Sequence, residues 1–145
     1  MYLVIYDFLS ILSVLYYLRF SIYSQCNLII KNHIYVNPGQ SKLTLQTNSG
    51  TEILNVIDSQ KNPEVFYRVI LQDAPIGKKL SLGCNWINSN GEISHQNSYQ
   101  TKEINREVWP TSCKYKFNPS LPMGSWQVEM YLGDRSLSKT EFIVK

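Results

Sequence analysis

Hydrophobic positions in this chain fall into two regimes. Residues 2–18 form a near-continuous apolar run. From His33 onward the apolar positions come in short bursts that alternate with polar ones. A period of two puts alternate side chains on opposite faces, which is the pattern of a half-buried strand. Leu43 and Leu45 alternate with Lys42, Thr44 and Gln46. A short run follows at 52–57. Val65, Tyr67, Val69 and Leu71 alternate with Phe66, Arg68, Ile70 and Gln72. In 79–87, Leu80, Leu82, Cys84 and Trp86 share one face, and Lys79, Ser81, Gly83 and Asn85 share the other. Cys113, Tyr115 and Phe117 repeat the pattern, as do 126–130 and 141–144.

Turn signals separate these runs. Asn37-Pro38-Gly39, Asn48-Ser49-Gly50 and the stretch from Asp73 through Pro75 to Gly77 break the first strands. Asn88-Ser89-Asn90-Gly91 predicts a hairpin, because Asn-Gly supplies the positive φ angles of a tight turn. A loop from Asn118-Pro119 to Gly124 follows, and Gly133-Asp134-Arg135 predicts the last hairpin. No helical period of useful length occurs after the first 31 residues. The pattern predicts a two-sheet antiparallel sandwich with Trp86, Trp126, Met130 and Phe142 inside, a closed barrel being the alternative.

Cys84 and Cys113 both fall on inward faces of predicted strands, which predicts a disulfide between them. Such a bond would close a loop of about 30 residues and contribute roughly 3–4 kcal/mol in the chain-entropy model. It implies an oxidising compartment, since lone cysteine pairs in the cytosol stay reduced. Cys26 is left over, at the edge of the apolar leader.

The leader, 1–31, is expected to be a hydrophobic helix, signal-like or a membrane anchor, ahead of a domain at 32–145. It fits neither template cleanly. No Lys or Arg precedes the apolar run, and Asp7 interrupts it at a cost of about 2.5–3.5 kcal/mol at mid-membrane. Arg19 follows the run. A lipoprotein site at Cys26 is disfavoured by Tyr23 and Gln25, where small residues are wanted. A helix packed on the domain is the remaining alternative.

Composition narrows the function classes. Apolar residues are 43% of the chain, enough for a core, and the net charge is only +3. The cations are scattered in sequence: only Lys78 and Lys79 are adjacent, and Lys114 and Lys116 flank one position. A nucleic-acid partner is therefore not expected, since that needs a clustered basic patch. The two histidines, His33 and His95, give no convergent ligand set, and no metal site is expected. His95 is read as a surface strand residue. A Cys/His nucleophile built from Cys84 or Cys113 is disfavoured by the apolar setting of both cysteines. Glu103 and Glu107 read as solvated. No Gly-rich phosphate loop, P-loop or nucleophile elbow occurs, so neither cofactor nor catalytic residues are expected. The polar stretch 96–110, with Tyr99 and Trp109, is the candidate interaction surface, because amphipathic aromatics mark recognition sites. The alternative is that both rings plug one end of the sandwich.

The second half of the chain resembles bacterial extracytoplasmic immunoglobulin-like domains, in particular small exported cyanobacterial proteins of unknown function. The matching residues are Cys84-Asn85-Trp86, Gly91, Tyr99-Gln100-Thr101, Trp109 before Cys113, Gly124-Ser125-Trp126-Gln127-Val128 and Phe142-Ile143-Val144. The chain departs from the antibody pattern, because Trp86 follows Cys84 by two residues instead of standing on the next strand. The resemblance implies an all-β fold: an antiparallel immunoglobulin-like β-sandwich of about seven to nine strands. It carries over no catalytic residue. The expected function is a non-enzymatic binding or scaffold module at the cell envelope, periplasmic or secreted, or held at the membrane by its leader. Its partner would be a protein or a glycan. The alternatives are a carbohydrate-binding module using exposed Tyr99 and Trp109, and a small enzyme on a β scaffold.

Overall fold

Alternation along the sequence becomes alternation across two sheets. The computed structural model describes residues 34–45 and 52–145. The leader with its predicted helix and Cys26, and the turn at Asn48-Ser49-Gly50, lie outside the described residues, as does the predicted domain start at 32. Residues Tyr35–Lys145 cluster as one compact unit. Among the described residues no helix is long and apolar enough to cross a membrane.

Among the described residues eight strands form: β1 (Asn37–Leu45), β2 (Val56–Ile57), β3 (Glu64–Gln72), β4 (Ser81–Ile87), β5 (Ile93–Gln100), β6 (Trp109–Lys116), β7 (Gly124–Leu132) and β8 (Arg135–Val144). One sheet has the order β1-β3-β6 and the other β2-β8-β7-β4-β5. All pairs are antiparallel except the short β2, which runs parallel to β8. The predicted antiparallel sandwich is observed. The run at 52–57 contracts to two strand residues, followed by a single 3₁₀ turn at Ser59–Lys61 that Asp58 caps by accepting from the Gln60 N–H.

The β4–β5 hairpin shows how local chemistry sets a turn. Gly91 takes φ 81°. The Asn88 side-chain oxygen accepts from the N–H groups of Asn90 and Glu92 at 2.9 and 3.0 Å. Backbone donors that the turn would orphan are satisfied in this way.

One predicted turn is corrected. Asn37-Pro38-Gly39 does not break the chain; it lies inside β1, with a register shift between Pro38 and Ser41. A proline is tolerated there because β1 is an edge strand. Gly39 lets the strands approach closely: a Cβ at this position would sit 2.9 Å from the Ile70 carbonyl oxygen.

The core lies between the sheets. Trp86, Trp126, Met130 and Phe142 are all buried, as the alternation predicts. Trp86 packs its ring against Phe117 and Phe142, and Trp126 packs against the same two. Aromatic pairs at such spacings add to simple area burial. Both indole N–H groups are satisfied, by Asn97 Oδ1 at 2.9 Å and by the Pro122 carbonyl at 2.7 Å. The fully buried Tyr67 of β3 meets Ser138 Oγ of β8 at 2.8 Å, a polar tie from one sheet to the other.

Candidate functional site

The disulfide is present. Cys84 of β4 and Cys113 of β6 are bonded, with Cα atoms 6.3 Å apart. Both are buried, so the bond joins the two sheets through the core. Their sulfurs are thereby tied up, which removes the thiolate a Cys/His site would need.

His95 is placed differently from the expectation of a surface residue. It is half-buried, and its ring stacks on Tyr115 of β6 at 4.8 Å with an interplanar angle of 7°. Its Nε2 lies 3.2 Å from Asn97 Nδ2. His95 and Asn97 share the inward phase of β5 with Tyr99, and this phase carries them to the rim of the core.

The predicted interaction segment splits into three parts. Residues 96–100 belong to β5 and 109–110 to β6, leaving a loop at 101–108. That loop is a brace. Ala74 N–H donates to Glu107 O, Gly77 N–H to Ile104 O, Ile104 N–H to Lys78 O, and Thr101 N–H to Leu80 O. The Thr101 hydroxyl accepts from Leu80 N–H at 2.9 Å, and Ile104 is buried. Tyr99 and Trp109 are both half-buried against the core. The Tyr99 hydroxyl meets Thr111 Oγ1 at 2.5 Å. Arg106 lies over the Trp109 ring at 5.9 Å. Glu103 and Glu107 are exposed. Among the described residues no group of three or more His, Cys, Asp or Glu is placed to hold a metal ion.

Two concavities flank the free edge strand β5. The first, about 270 Å³, lies between β5 and β6 and is lined by Phe66, Asn97, Ser98, Tyr99, Ser112 and Lys114, with Cys113 between the last two. The second, about 430 Å³, is on the outer side of the larger sheet and is lined by Asn85, Gln96, Ser98, Tyr131 and Asp134 among others. Gly83 shapes it, since a Cβ there would come 3.0 Å from the Asn97 carbonyl. Gln96 Nε2 donates to Asn85 Oδ1 at 2.8 Å across its floor. The second is walled mostly by amides and hydroxyls, and the first mixes such groups with the rings of Phe66 and Tyr99. They are suited to hydrogen-bonding a polar ligand, and no sequence motif marks either because each is assembled from separate strands.

Among the described residues three tyrosines have raised pKa values. Burial raises Tyr99, partly offset by its bond to Thr111, and burial also raises Tyr115. Tyr131 is raised first by donating to Glu129 and then by burial. A folded pKa above the unfolded value of 10.0 contributes stability that is complete below that pH. It is lost as pH rises through the folded pKa, because the unfolded state releases its protons first. An absorbance titration of tyrosinate is expected to show a late-ionising fraction, with urea midpoints falling in the same alkaline range. Uniform ionisation at the ordinary value, with flat midpoints, would contradict these placements.

No family model and no curated protein match this sequence. Solved structures do. The chain is similar to an immunoglobulin-like protein from Pseudomonas aeruginosa at 15% identity and TM-score 0.55, covering 79% of this chain and 99% of that one. It is also similar to part of a Pseudomonas fluorescens alkylpurine DNA glycosylase bound to DNA with an abasic site analogue, at 14% identity and TM-score 0.53. That match covers 76% of this chain and 30% of the glycosylase. At such identities the likeness shows the fold, an immunoglobulin-like sandwich.

Within that fold the departure from the antibody pattern can be located. Antibody domains join strands B and F by a disulfide and place a buried Trp on strand C. By sheet order, β3 and β7 stand at B and F, and β4 stands at C. Trp86 is on β4, so the tryptophan holds its customary strand. The cysteines have moved: the bond runs from β4 to β6, and β3 and β7 offer Tyr67 and Met130 to the core instead.

Proposed function

We propose that this protein is a non-enzymatic, extracytoplasmic binding or scaffold module of the cell envelope. It is attached through its N-terminal segment or secreted, and it engages a protein or glycan partner. The observation that carries this reading is the buried disulfide between the sheets, which favours assembly in an oxidising compartment. The immunoglobulin-like sandwich and the polar concavities beside β5 support a binding role. Resemblance to small exported proteins of this fold points the same way.

The test is fractionation of native cells followed by thiol alkylation without reductant. Cys84 and Cys113 are expected to resist alkylation until reduced, in protein recovered from the envelope or the medium. Recovery in the cytosol with both as free thiols would overturn the reading.

A further inference from the structure

Cations that look scattered in the sequence meet on one face of the fold. In the β1-β3-β6 sheet, Leu43, Tyr67 and Cys113 point inward, so the alternate residues point out. Lys42 is the cross-strand partner of Arg68, Phe66 of Lys114, and Glu64 of Lys116. These three strands therefore present four cations and one carboxylate on their outer face. The strands of the larger sheet carry Arg135 and Lys139 against Glu129 and Glu141, a balanced set.

The pairing of Lys42 with Arg68 is unfavourable for folding, since like charges directly opposite on neighbouring strands repel. An anionic partner would relieve that repulsion. Arg68 is also held in place: its Nε donates to Thr44 Oγ1 at 2.8 Å and its guanidinium lies 5.0 Å from the centre of the half-buried Phe66 ring. Lys114 meets Glu64 at 2.9 Å, while among the described residues Lys42, Arg68 and Lys116 make no ion pair, Glu64 standing opposite Lys116 but engaged by Lys114. The face continues at Phe66, Ser112 and Lys114 into the groove between β6 and β5, where Asn97, Ser98 and Tyr99 form the other wall.

We propose that this face and groove bind an acidic polysaccharide strand. This rests on the reading of the domain as an extracytoplasmic binding module and names its partner class. Carboxylates along the polymer would pair with Lys42, Arg68 and Lys116. The hydroxyl groups of Ser112 and Ser98 suit sugar hydroxyls, and Phe66 offers an apolar ring edge to a pyranose. A flat anionic bilayer would leave the groove empty.

Full-length protein would be titrated with polygalacturonate, with a neutral glucan, with short duplex DNA and with phosphatidylglycerol vesicles. Binding to polygalacturonate is expected, weakening as salt rises, with none to the neutral glucan. Lys42→Gln and Lys116→Gln are each expected to weaken it roughly fivefold to tenfold, the scale of one charge-assisted contact. Lys139→Gln on β8 is expected to leave it unchanged. Lys42→Gln should melt at the parent temperature or above, because it removes a like-charge pair. A loss of binding with retained stability separates recognition from folding. Absence of polygalacturonate binding, insensitivity to both lysine variants, or equal or tighter binding to DNA or vesicles would each overturn the proposal. Exported, oxidised protein that fails to bind would remove the acidic glycan and leave the module reading intact.

Discussion

Trp126→Ala is expected to cost about 3–5 kcal/mol, the range for truncating a large buried aromatic. That is a large share of the 5–15 kcal/mol of net stability common to domains, by order of magnitude about half. The side chain is buried, with ring centroids of Phe117, Tyr115 and Phe142 at 5.3, 6.2 and 6.4 Å. Removing it leaves a void in a cluster whose members also support Trp86. Its Nε1 bond to the Pro122 carbonyl ties the start of β7 to the preceding loop. Trp126→Phe keeps much of the ring volume but abandons that carbonyl, so an intermediate loss of about 1–3 kcal/mol is expected. Gln127→Ala on the opposite face should change stability by less than about 0.5 kcal/mol. Glu129 shares that outward phase and differs in its contacts. It accepts from the Tyr131 hydroxyl at 2.6 Å and from the Ser136 hydroxyl. Glu129→Ala should therefore fall between the two, at about 1 kcal/mol. Urea melts decide the order. If Trp126→Ala melted like the parent while Gln127→Ala collapsed, the inward phase of β7 would be inverted.

Glu129 shows what alternation reveals and what it leaves out. Period two assigns a side chain to a face, and that assignment is correct for Trp86, Trp126, Met130, Phe142 and both cysteines. It carries no information on partners along or across the outer face. The disulfide was legible because only two cysteines shared the inward phase of the strand region. His95 was misjudged as a surface residue because its burial depends on Tyr115, twenty positions away in sequence and brought close only by the approach of β5 and β6. Pro38 and Gly39 read as a turn because their usual local meaning is one. The edge position of β1, which lets them sit within a strand, is a property of the whole sheet. The basic face was invisible for the same reason: Lys42, Arg68, Lys114 and Lys116 become neighbours through the registers of β1, β3 and β6. Tyr99 and Trp109 were picked out by residue type, and the bracing of their loop by the 74–80 segment depends on backbone pairing that side-chain pattern does not encode.

Replacing both Cys84 and Cys113 by Ala is expected to cost roughly 3–4 kcal/mol, from the chain entropy regained by an unfolded loop spanning a separation of about 30 residues. The loss should not be uniform. β4 lies between β5 and β7 and keeps two ladders after the bond is gone. β6 is an edge strand whose sole ladder partner is β3, so the disulfide is its direct covalent hold on the opposite sheet. Losing it should lower the local opening energy of β6 most, in keeping with edge elements unfolding below the global limit. The urea midpoint of the double variant, or of the protein with its disulfide reduced, is expected to drop. Amide exchange is expected to accelerate at 109–116 more than at 81–87. Tyr115 carries the same consequence: it stacks with His95 and touches Trp86, Phe117 and Trp126, so loosening β6 also loosens one side of the aromatic cluster. Near-ultraviolet circular dichroism should therefore weaken before the strand signal is lost. An unchanged midpoint with unchanged exchange in β6 would mean that side-chain packing alone holds the two sheets together, with no contribution from the disulfide.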